Sequence, residues 1–129
     1  MSYYFCIMIS IINKHRKHDF IFRDTGIIDV SAHVARLLKM SRGDVVDIVS
    51  NDGELYITVT HKNGDDSGRY YGRVYATCHG KGTFRLCSKD MARRVLDMAR
   101  EDKKLRCPAG EVVEHEGNKY VTIIYTCKL

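Results

Sequence analysis

One pattern occurs twice along this chain, and it constrains the fold more than any other feature. Two short strands joined by a tight turn precede a short amphipathic helix, and then a glycine and an acidic residue lead into a β-hairpin. The first copy covers residues 20–59 and the second covers residues 72–124. A unit of roughly 45 residues buries too little surface to be stable alone and leaves strand edges exposed. We therefore expect two ββαββ repeats that pair around one core.

Glycines set the alignment of the two copies. Each first turn ends in a glycine, and a glycine-acid step follows each helix. Between these two points the second copy is eleven residues longer, which predicts a longer helix and connection. The aligned positions are Gly26 with Gly82 and Gly43-Asp44 with Gly110-Glu111.

Turn and cap residues predict the elements of the first copy. The segments Asp24-Thr25-Gly26 and Asn51-Asp52-Gly53 have the composition of hairpin turns, because Asn, Asp and Gly tolerate left-handed backbone conformations. Between the two hairpins Ser31 precedes apolar residues at helical spacing. Its hydroxyl is expected to accept a hydrogen bond from the first helical turn, so Ser31 is the predicted N-cap of a helix of about three turns.

The second copy has the same order of signals. Ser88 is the predicted N-cap of its helix, which is expected to run to about Lys103. Pro108 prevents any further helix, and Gly110 is expected to start a strand. The segment Glu116-Gly117-Asn118 predicts the last hairpin turn.

The fold class that follows is α+β, mainly β with two short helices and an extra N-terminal strand at Tyr3–Ile12. The expected organisation is a single domain over residues 1–129, with the extra strand and a basic loop at 1–17, repeat 1 at about 18–62, a linker at about 61–68 and repeat 2 at about 69–127. The apolar residues on the inner faces should form the core. They are Ile28, Val30, Leu37, Leu38, Val46, Ile48 and Ile57, and Phe84, Leu86, Val95, Leu96, Val113, Val121 and Ile123.

Composition and cysteine usage narrow the class of protein. A hydrophobic content of 44% with 29% charged residues is that of a globular chain. The apolar opening is shorter than the roughly 20 residues that a membrane span needs and lacks the features of a signal peptide, so no membrane association is expected. Five cysteines, an odd number, predict reduced thiols and a cytoplasmic protein.

No cofactor and no metal are expected from the sequence. There is no Cys-x-x-Cys pair, and the neighbouring pairs His15 with His18 and Cys78 with His79 each supply two of the four ligands that a structural zinc needs. No phosphate-binding loop, Gly-x-Ser-x-Gly or His-Glu-x-x-His motif is present, so an enzyme is not expected.

Positive charge is concentrated in the second half. Residues 1–64 carry eight Lys and Arg against seven Asp and Glu, whereas residues 65–129 carry thirteen against nine. A basic surface attracts polyanions, nucleic acid first among them. A net charge of +5 is also common in proteins without an anionic partner, so charge alone does not decide the function.

The ββαββ unit resembles the swapped-hairpin barrels of the AbrB and MazE type, within the group of cradle-loop barrels that carry a GD box. The segment GIIDVSAHVARLLKMSRGDVVDI, residues 26–48, carries the resemblance. In that family two ββαββ chains interleave their hairpins into one barrel and bind DNA through a basic face, and some members are antitoxins. The resemblance implies a closed barrel with a pseudo-two-fold axis inside one chain. The family often has a proline where this chain has Val30-Ser31 and Leu86-Cys87.

The resemblance also implies which residues contact DNA, namely the basic residues near each first turn and its helix. Such side chains neutralise phosphates, and Arg can pair with guanine. Charged residues are equally ordinary on solvated helices. Asp24 and Asp29 weaken the first set, so Lys81, Arg85, Arg93 and Arg94 are favoured. The full sets are Arg23, Arg36, Lys39 and Arg42 in the first repeat, and Lys81, Arg85, Lys89, Arg93 and Arg94 in the second.

Two functions remain open at this point. The first is a DNA-binding transcriptional regulator or antitoxin-like protein of the AbrB type, either a monomer that is a pseudo-dimer or a homodimer. The alternative is a non-catalytic protein-interaction module, such as a phage or mobile-element accessory protein that binds a host partner, because an unpaired strand edge can be completed by another chain. Its surface would use tyrosines, which often anchor interfaces. They are Tyr3, Tyr4, Tyr70, Tyr71 and Tyr75.

Overall fold

The computed structural model describes residues 18–61 and 73–129. These two ranges form ten strands and two helices, so the mainly β class with two helices is confirmed. The first half contains β1 (Phe20–Arg23), β2 (Ile27–Val30), α1 (Ala32–Leu38), β3 (Val45–Asn51) and β4 (Glu54–Thr60). The second half contains β5 (Val74–Tyr75), β6 (Thr77–Cys78), β7 (Phe84–Cys87), α2 (Lys89–Ala99), β8 (Lys104–Cys107), β9 (Ala109–His115) and β10 (Asn118–Ile123).

The strands form two five-stranded sheets, and each sheet takes strands from both halves. Sheet A has the order β6-β7-β2-β1-β8, and sheet B has the order β5-β3-β4-β10-β9. Both are antiparallel. The two halves are therefore joined by backbone hydrogen bonds, at β2 with β7, β1 with β8, β4 with β10 and β3 with β5.

The first turn of each half packs against the helix start of the other half. The Ser88 N–H donates to the Gly26 carbonyl at 2.8 Å, and a Cβ at Gly26 would lie 2.9 Å from the backbone nitrogen of Lys89. A Cβ at Gly82 would lie 3.4 Å from the Cβ of Ala32. Gly26 also has a φ of +97°, so both conformation and space require glycine there.

The helices begin where their caps predict. The Ser31 hydroxyl accepts from the Val34 N–H at 3.2 Å, and the Ser88 hydroxyl accepts from the Met91 N–H at 3.1 Å, which confirms both N-caps. The first helix ends at Lys39 in a left-handed conformation, and the second ends in the same way at Arg100.

The second helix is shorter than the sequence predicted. Instead of running to about Lys103, it stops before Arg100, whose N–H donates back to the Asp97 and Leu96 carbonyls. The following residues alternate between exposed and buried and pair with β1 along its whole length as β8. This segment forms a strand because β1, from the other half of the chain, pairs with it, although its local sequence predicted a helix.

Buried side chains from both sheets and both helices form one hydrophobic cluster. Phe20 and Phe22 are fully buried and stack at a centroid distance of 6.1 Å. Most predicted core residues belong to this cluster, with Leu37 and Ile48 partly buried beside it. Val113 was wrongly assigned to the core. It is 42% exposed, because β9 is the edge strand of sheet B and Val113 pairs with Tyr120, which faces away from the core.

The glycine-acid step has a structural role in the first half. Gly43 has a φ of +90°, and the Asp44 carboxylate is buried, where it accepts from the Ser41 N–H at 2.8 Å and lies 3.0 Å from His61 Nδ1. The Ala76 N–H donates to the Asp44 carbonyl at 2.8 Å.

The proposed match of this step with Gly110-Glu111 is wrong. Ala76 lies six residues before Gly82, as Phe20 does before Gly26, and Phe20 pairs with Cys107. Cys107 is therefore the counterpart of Asp44. Gly110 instead lies inside β9.

Three of the four described cysteines are reduced as expected, and the fourth is not. Cys78, Cys87 and Cys107 are free, and burial raises the pKa of the Cys107 thiol. Cys127, in contrast, is disulfide-bonded, so the prediction of five reduced cysteines is wrong at that position.

Several expectations lie outside the described residues, namely the N-terminal strand Tyr3–Ile12, the basic loop up to residue 17 and most of the linker. The part of repeat 2 that precedes its first turn is described from residue 73 onward, where it forms β5 and β6 with Ala76 between them. In the described ranges, neither helix has the length and apolar character required to cross a membrane.

Candidate nucleic-acid interface

The face of sheet A that points away from the core carries most of the exposed strand cations. Along β1, β2, β7 and β8, buried residues alternate with side chains that point outward. We call these outward side chains the outer face of sheet A. Four of them are basic, and Asp29 is the single carboxylate among them. The outer face consists of Ile21, Arg23, Ile27, Asp29, Arg85, Cys87, Lys104 and Arg106.

Asp29 joins two arginines at the centre of this face. Arg23 Nη1 donates to Asp29 Oδ2 at 2.8 Å, and Arg85 Nε donates to Asp29 Oδ1 at 2.7 Å. Asp29 and Arg85 lie directly opposite each other in the β2–β7 pair, so a carboxylate of one half meets a guanidinium of the other. One negative charge is shared by two positive charges, which leaves the group of three with a net positive charge.

The two arginines stabilise the charged form of Asp29. Burial raises the pKa of this carboxyl, but the hydrogen bonds from Arg85 and Arg23 outweigh that effect and hold the pKa below its usual value. The same contact raises the pKa of Arg85. The side chains of Arg23 and Arg85 remain 28% and 32% exposed, so neither is fully buried.

Lys104 and Arg106 extend the positive charge along the neighbouring edge strand. Both are exposed on β8, where Lys104 lies opposite Arg23 and Arg106 lies opposite Ile21. Neither makes an ion pair with another described residue. Like charges directly opposite each other on adjacent strands are unfavourable, so the Lys104–Arg23 pair favours an anion above it.

The sequence contained a signal for these two cations. Residues 104–107 alternate basic and apolar side chains, which is the pattern of a strand with one buried face. Lys104 and Arg106 are not among the predicted DNA contacts, because the helix was expected to run to about Lys103 and the strand forms by pairing with a distant segment.

His18 lies close to these two cations. Burial and the charges of Arg106 and Lys104 lower its pKa, and the opposing effect of Asp19 is smaller. Its Nδ1 is buried and has no hydrogen-bond partner among the described residues. The imidazole is therefore neutral at pH 7.

Arg93 and Arg94 do not join the outer face. Both lie on α2, which packs against β1, β2 and β8 through their buried side. Arg93 donates to Asp97 at 3.0 Å and to the carbonyls of Glu101 and Asp102 at 2.9 and 3.1 Å, so it secures the chain after the helix. Arg94 Nε lies 3.2 Å from an Asp90 carboxylate oxygen.

The remaining candidate cations are dispersed. Lys81 is exposed in the β6–β7 turn, and Lys89 opens α2 beside Gly26. Arg36 and Arg42 are exposed on α1 and in the loop before β3, and Lys39 is the α1 C-cap. Of the sequence-predicted residues, the structure brings together Arg23 and Arg85, through Asp29.

Of the five tyrosines predicted for a protein-interaction surface, only Tyr75 lies within the described residues. Tyr3, Tyr4, Tyr70 and Tyr71 lie outside them. Tyr75 is half-buried, and its hydroxyl is buried without a hydrogen-bond partner in the described part of the chain.

Within residues 18–61 and 73–129, no group of three or more His, Cys, Asp or Glu side chains is arranged to hold a metal ion. A comparison of the chain with protein-family models, curated proteins and solved structures finds no match.

Proposed function

We propose that this protein binds DNA through the outer face of sheet A, as a transcriptional regulator or antitoxin-like protein of the AbrB type. The supporting observation is the concentration of Arg23, Arg85, Lys104 and Arg106 on one sheet face with Asp29 as the one carboxylate among them. A surface of this kind attracts phosphates and releases the counterions that surround nucleic acid.

Two kinds of contact are expected on this face. Arg23 and Arg85 share Asp29 as a hydrogen-bond partner, and they attract phosphates with the positive charge that Asp29 does not offset. Lys104 and Arg106 have no such partner among the described residues and supply charge. Because contacts to phosphates fix position without reading bases, we expect affinity for duplex DNA in general before any preference for sequence.

The closed pseudo-two-fold barrel belongs to the same proposal. Its support is the reciprocal contact between the halves, in which the Gly26 turn lies against the start of α2 and the Gly82 turn lies against the start of α1. The strand pair β2–β7 would then contain the axis, at the Asp29–Arg85 pair.

The salt dependence of binding tests the proposal. Binding of the full chain to a fluorescent duplex is measured by anisotropy over a series of salt concentrations. The Lys104→Ala/Arg106→Ala variant should bind more weakly, with a slope of log K against log salt that is shallower by about two. The Arg94→Ala/Lys119→Ala variant removes the same two charge types away from sheet A and should keep a slope close to wild type. Equal slopes in both variants would exclude the outer face as the DNA-binding surface.

A further inference from the structure

The edge strand β9 is the longest exposed strand edge in the described residues. Sheet A ends at β6 and β8, of two and four residues, and sheet B ends at β5, of two residues, and at β9, of seven. The Ala109 N–H donates to Asp19 Oδ2 at 2.9 Å, and beyond it no other described strand pairs with the outer side of β9. Such an edge is a template for pairing with another chain.

The edge strand β9 contains neither lysine nor proline. Residues 111–115 are all exposed, and they include Val112 and Val113 at 39% and 42%. Lysine, proline or a bulge commonly blocks an edge strand. Here the one register irregularity lies at the start of the strand, near Ala109, and leaves the valines in a regular segment.

The hairpin turn determines which backbone groups face outward. The two-residue turn Glu116-Gly117 joins β9 to β10, with His115 opposite Asn118. The residues that flank such a turn exchange hydrogen bonds, and the pattern then alternates along the strand. Val113 therefore bonds to β10, whereas Val112 and Glu114 direct their N–H and C=O groups to the free edge.

We propose that β9 pairs antiparallel with β9 of a second copy of this chain, with the two-fold axis at Val113. This register aligns the outward backbone groups of Val112 with those of Glu114 in the other copy. It also places Glu111 opposite His115 of the other copy, and by symmetry it does so twice. A carboxylate and an imidazole in such cross-strand positions attract each other and stabilise the pair.

The neighbouring registers are less favourable. An axis at Glu114 would place two Glu114 carboxylates opposite each other, and like charges in that position repel. An axis at Val112 would place Glu111 opposite Val113 and lose the pairing with His115. Charge complementarity therefore selects the axis at Val113.

An apolar strip supports the same register. Val113 pairs with Tyr120, and Tyr120 packs edge-to-face with Tyr56 at 6.5 Å on the outer face of sheet B. Across the proposed axis, Val113 meets its own counterpart, which continues the strip from Tyr120 of one copy to Tyr120 of the other. Sheet B then runs through both copies as ten strands, and the outer face of sheet A stays accessible on each.

Analytical ultracentrifugation of the full chain tests the proposal with two matched variants. Wild type should approach twice the 14.8 kDa of one chain as concentration rises. Val113→Lys should weaken self-association roughly tenfold or more, because the two new charges meet at the axis. Val112→Lys changes a valine of similar exposure, faces Glu114 of the other copy and should keep the association. Wild-type monomer at every concentration, or equal effects of both variants, would overturn the proposal.

Charge exchange tests the register itself. Glu111→Lys places a cation opposite His115, and His115→Glu places an anion opposite Glu111, so each should weaken self-association. The double variant restores opposite charges at both sites and should associate more tightly than either single variant. A double variant weaker than both would overturn the register. Circular dichroism confirms folding in each case, since both side chains are exposed.

Discussion

Replacing Asp29 with Asn should lower stability and raise DNA affinity at the same time. Asp29 accepts hydrogen bonds from Arg23 and Arg85 at 2.8 and 2.7 Å, and its side chain is 20% exposed. The amide keeps the shape and one acceptor oxygen but loses the negative charge. Hydrogen bonds to charged groups contribute about 1.5–3 kcal/mol, so the loss in the free energy of unfolding should be about 1–3 kcal/mol after partial solvation.

The same substitution should strengthen binding to DNA. It removes the one carboxylate from the outer face and releases two guanidinium groups toward phosphates. The slope of log K against log salt should become steeper by about one. Urea unfolding followed by circular dichroism gives the stability, and anisotropy with a labelled duplex gives the affinity.

The pH dependence of stability is an independent test of the contact between Asp29 and the two arginines. Because the folded-state pKa of Asp29 lies below its unfolded value, the contact stabilises the protein above the unfolded pKa of about 3.9 and loses this effect as pH falls through the folded pKa. The Asn variant should lack this contribution.

Asp47→Asn is the matched control, because Asp47 is an exposed carboxylate on β3 of sheet B. It changes the net charge equally, and its stability should stay within about 0.5 kcal/mol of wild type. If Asp29→Asn lowered both stability and affinity, or left both unchanged, the assignment of Asp29 as the link between two DNA-binding arginines would be refuted.

Three further predictions concern other parts of the molecule. Gly26→Ala should lower the free energy of unfolding by more than about 1 kcal/mol, because a Cβ there meets the backbone of α2. Gly53 has a φ of +79° but no atom within 4 Å of a Cβ, so Gly53→Ala should cost only the backbone strain of about 1 kcal/mol. Urea unfolding measures both. DNA affinity should rise as pH falls into the range in which His18 titrates, because burial and the charges of Arg106 and Lys104 lower the pKa of His18 and bound phosphates offset those charges. His18→Gln should abolish this rise in anisotropy measurements, and a pH-independent affinity in wild type would contradict the prediction. Arg93→Ala should lower the thermal midpoint through the loss of about 1–2 kcal/mol, and Arg94→Ala should change stability by less than about 0.5 kcal/mol, because its ion pair is exposed.

Local chemistry accounts for the features that the sequence predicted well. Ser31 and Ser88 cap their helices, and glycines stand where the backbone adopts positive φ at Gly26 and Gly53. These interactions are complete within a few residues of sequence, so their signals can be read without knowledge of the fold.

Features that depend on distant pairing were not predictable in the same way. The strand at Lys104–Cys107 exists because β1 lies beside it, and Val113 is exposed because its strand is the last of sheet B. The correspondence of Asp44 with Cys107 likewise emerges from the strand register and not from the glycine-acid motif.

In the candidate site, too, single residues were predictable from the sequence but their grouping by strand pairing was not. Arg23 and Arg85 were selected from the sequence as separate cations, and Asp29 was interpreted as weakening the first set. Cross-strand register joins all three residues into one group. Lys104 and Arg106 enter the site through β8, which the sequence alone did not place in sheet A.

Mapping backbone amide chemical shifts during titration with duplex DNA tests the proposed interface most directly. We expect the largest changes along β1, β2, β7 and β8, at Arg23, Arg85, Lys104 and Arg106, with little change in α2 around Arg94. Changes confined to α2, or no changes at saturating duplex, would contradict DNA binding by the outer face of sheet A.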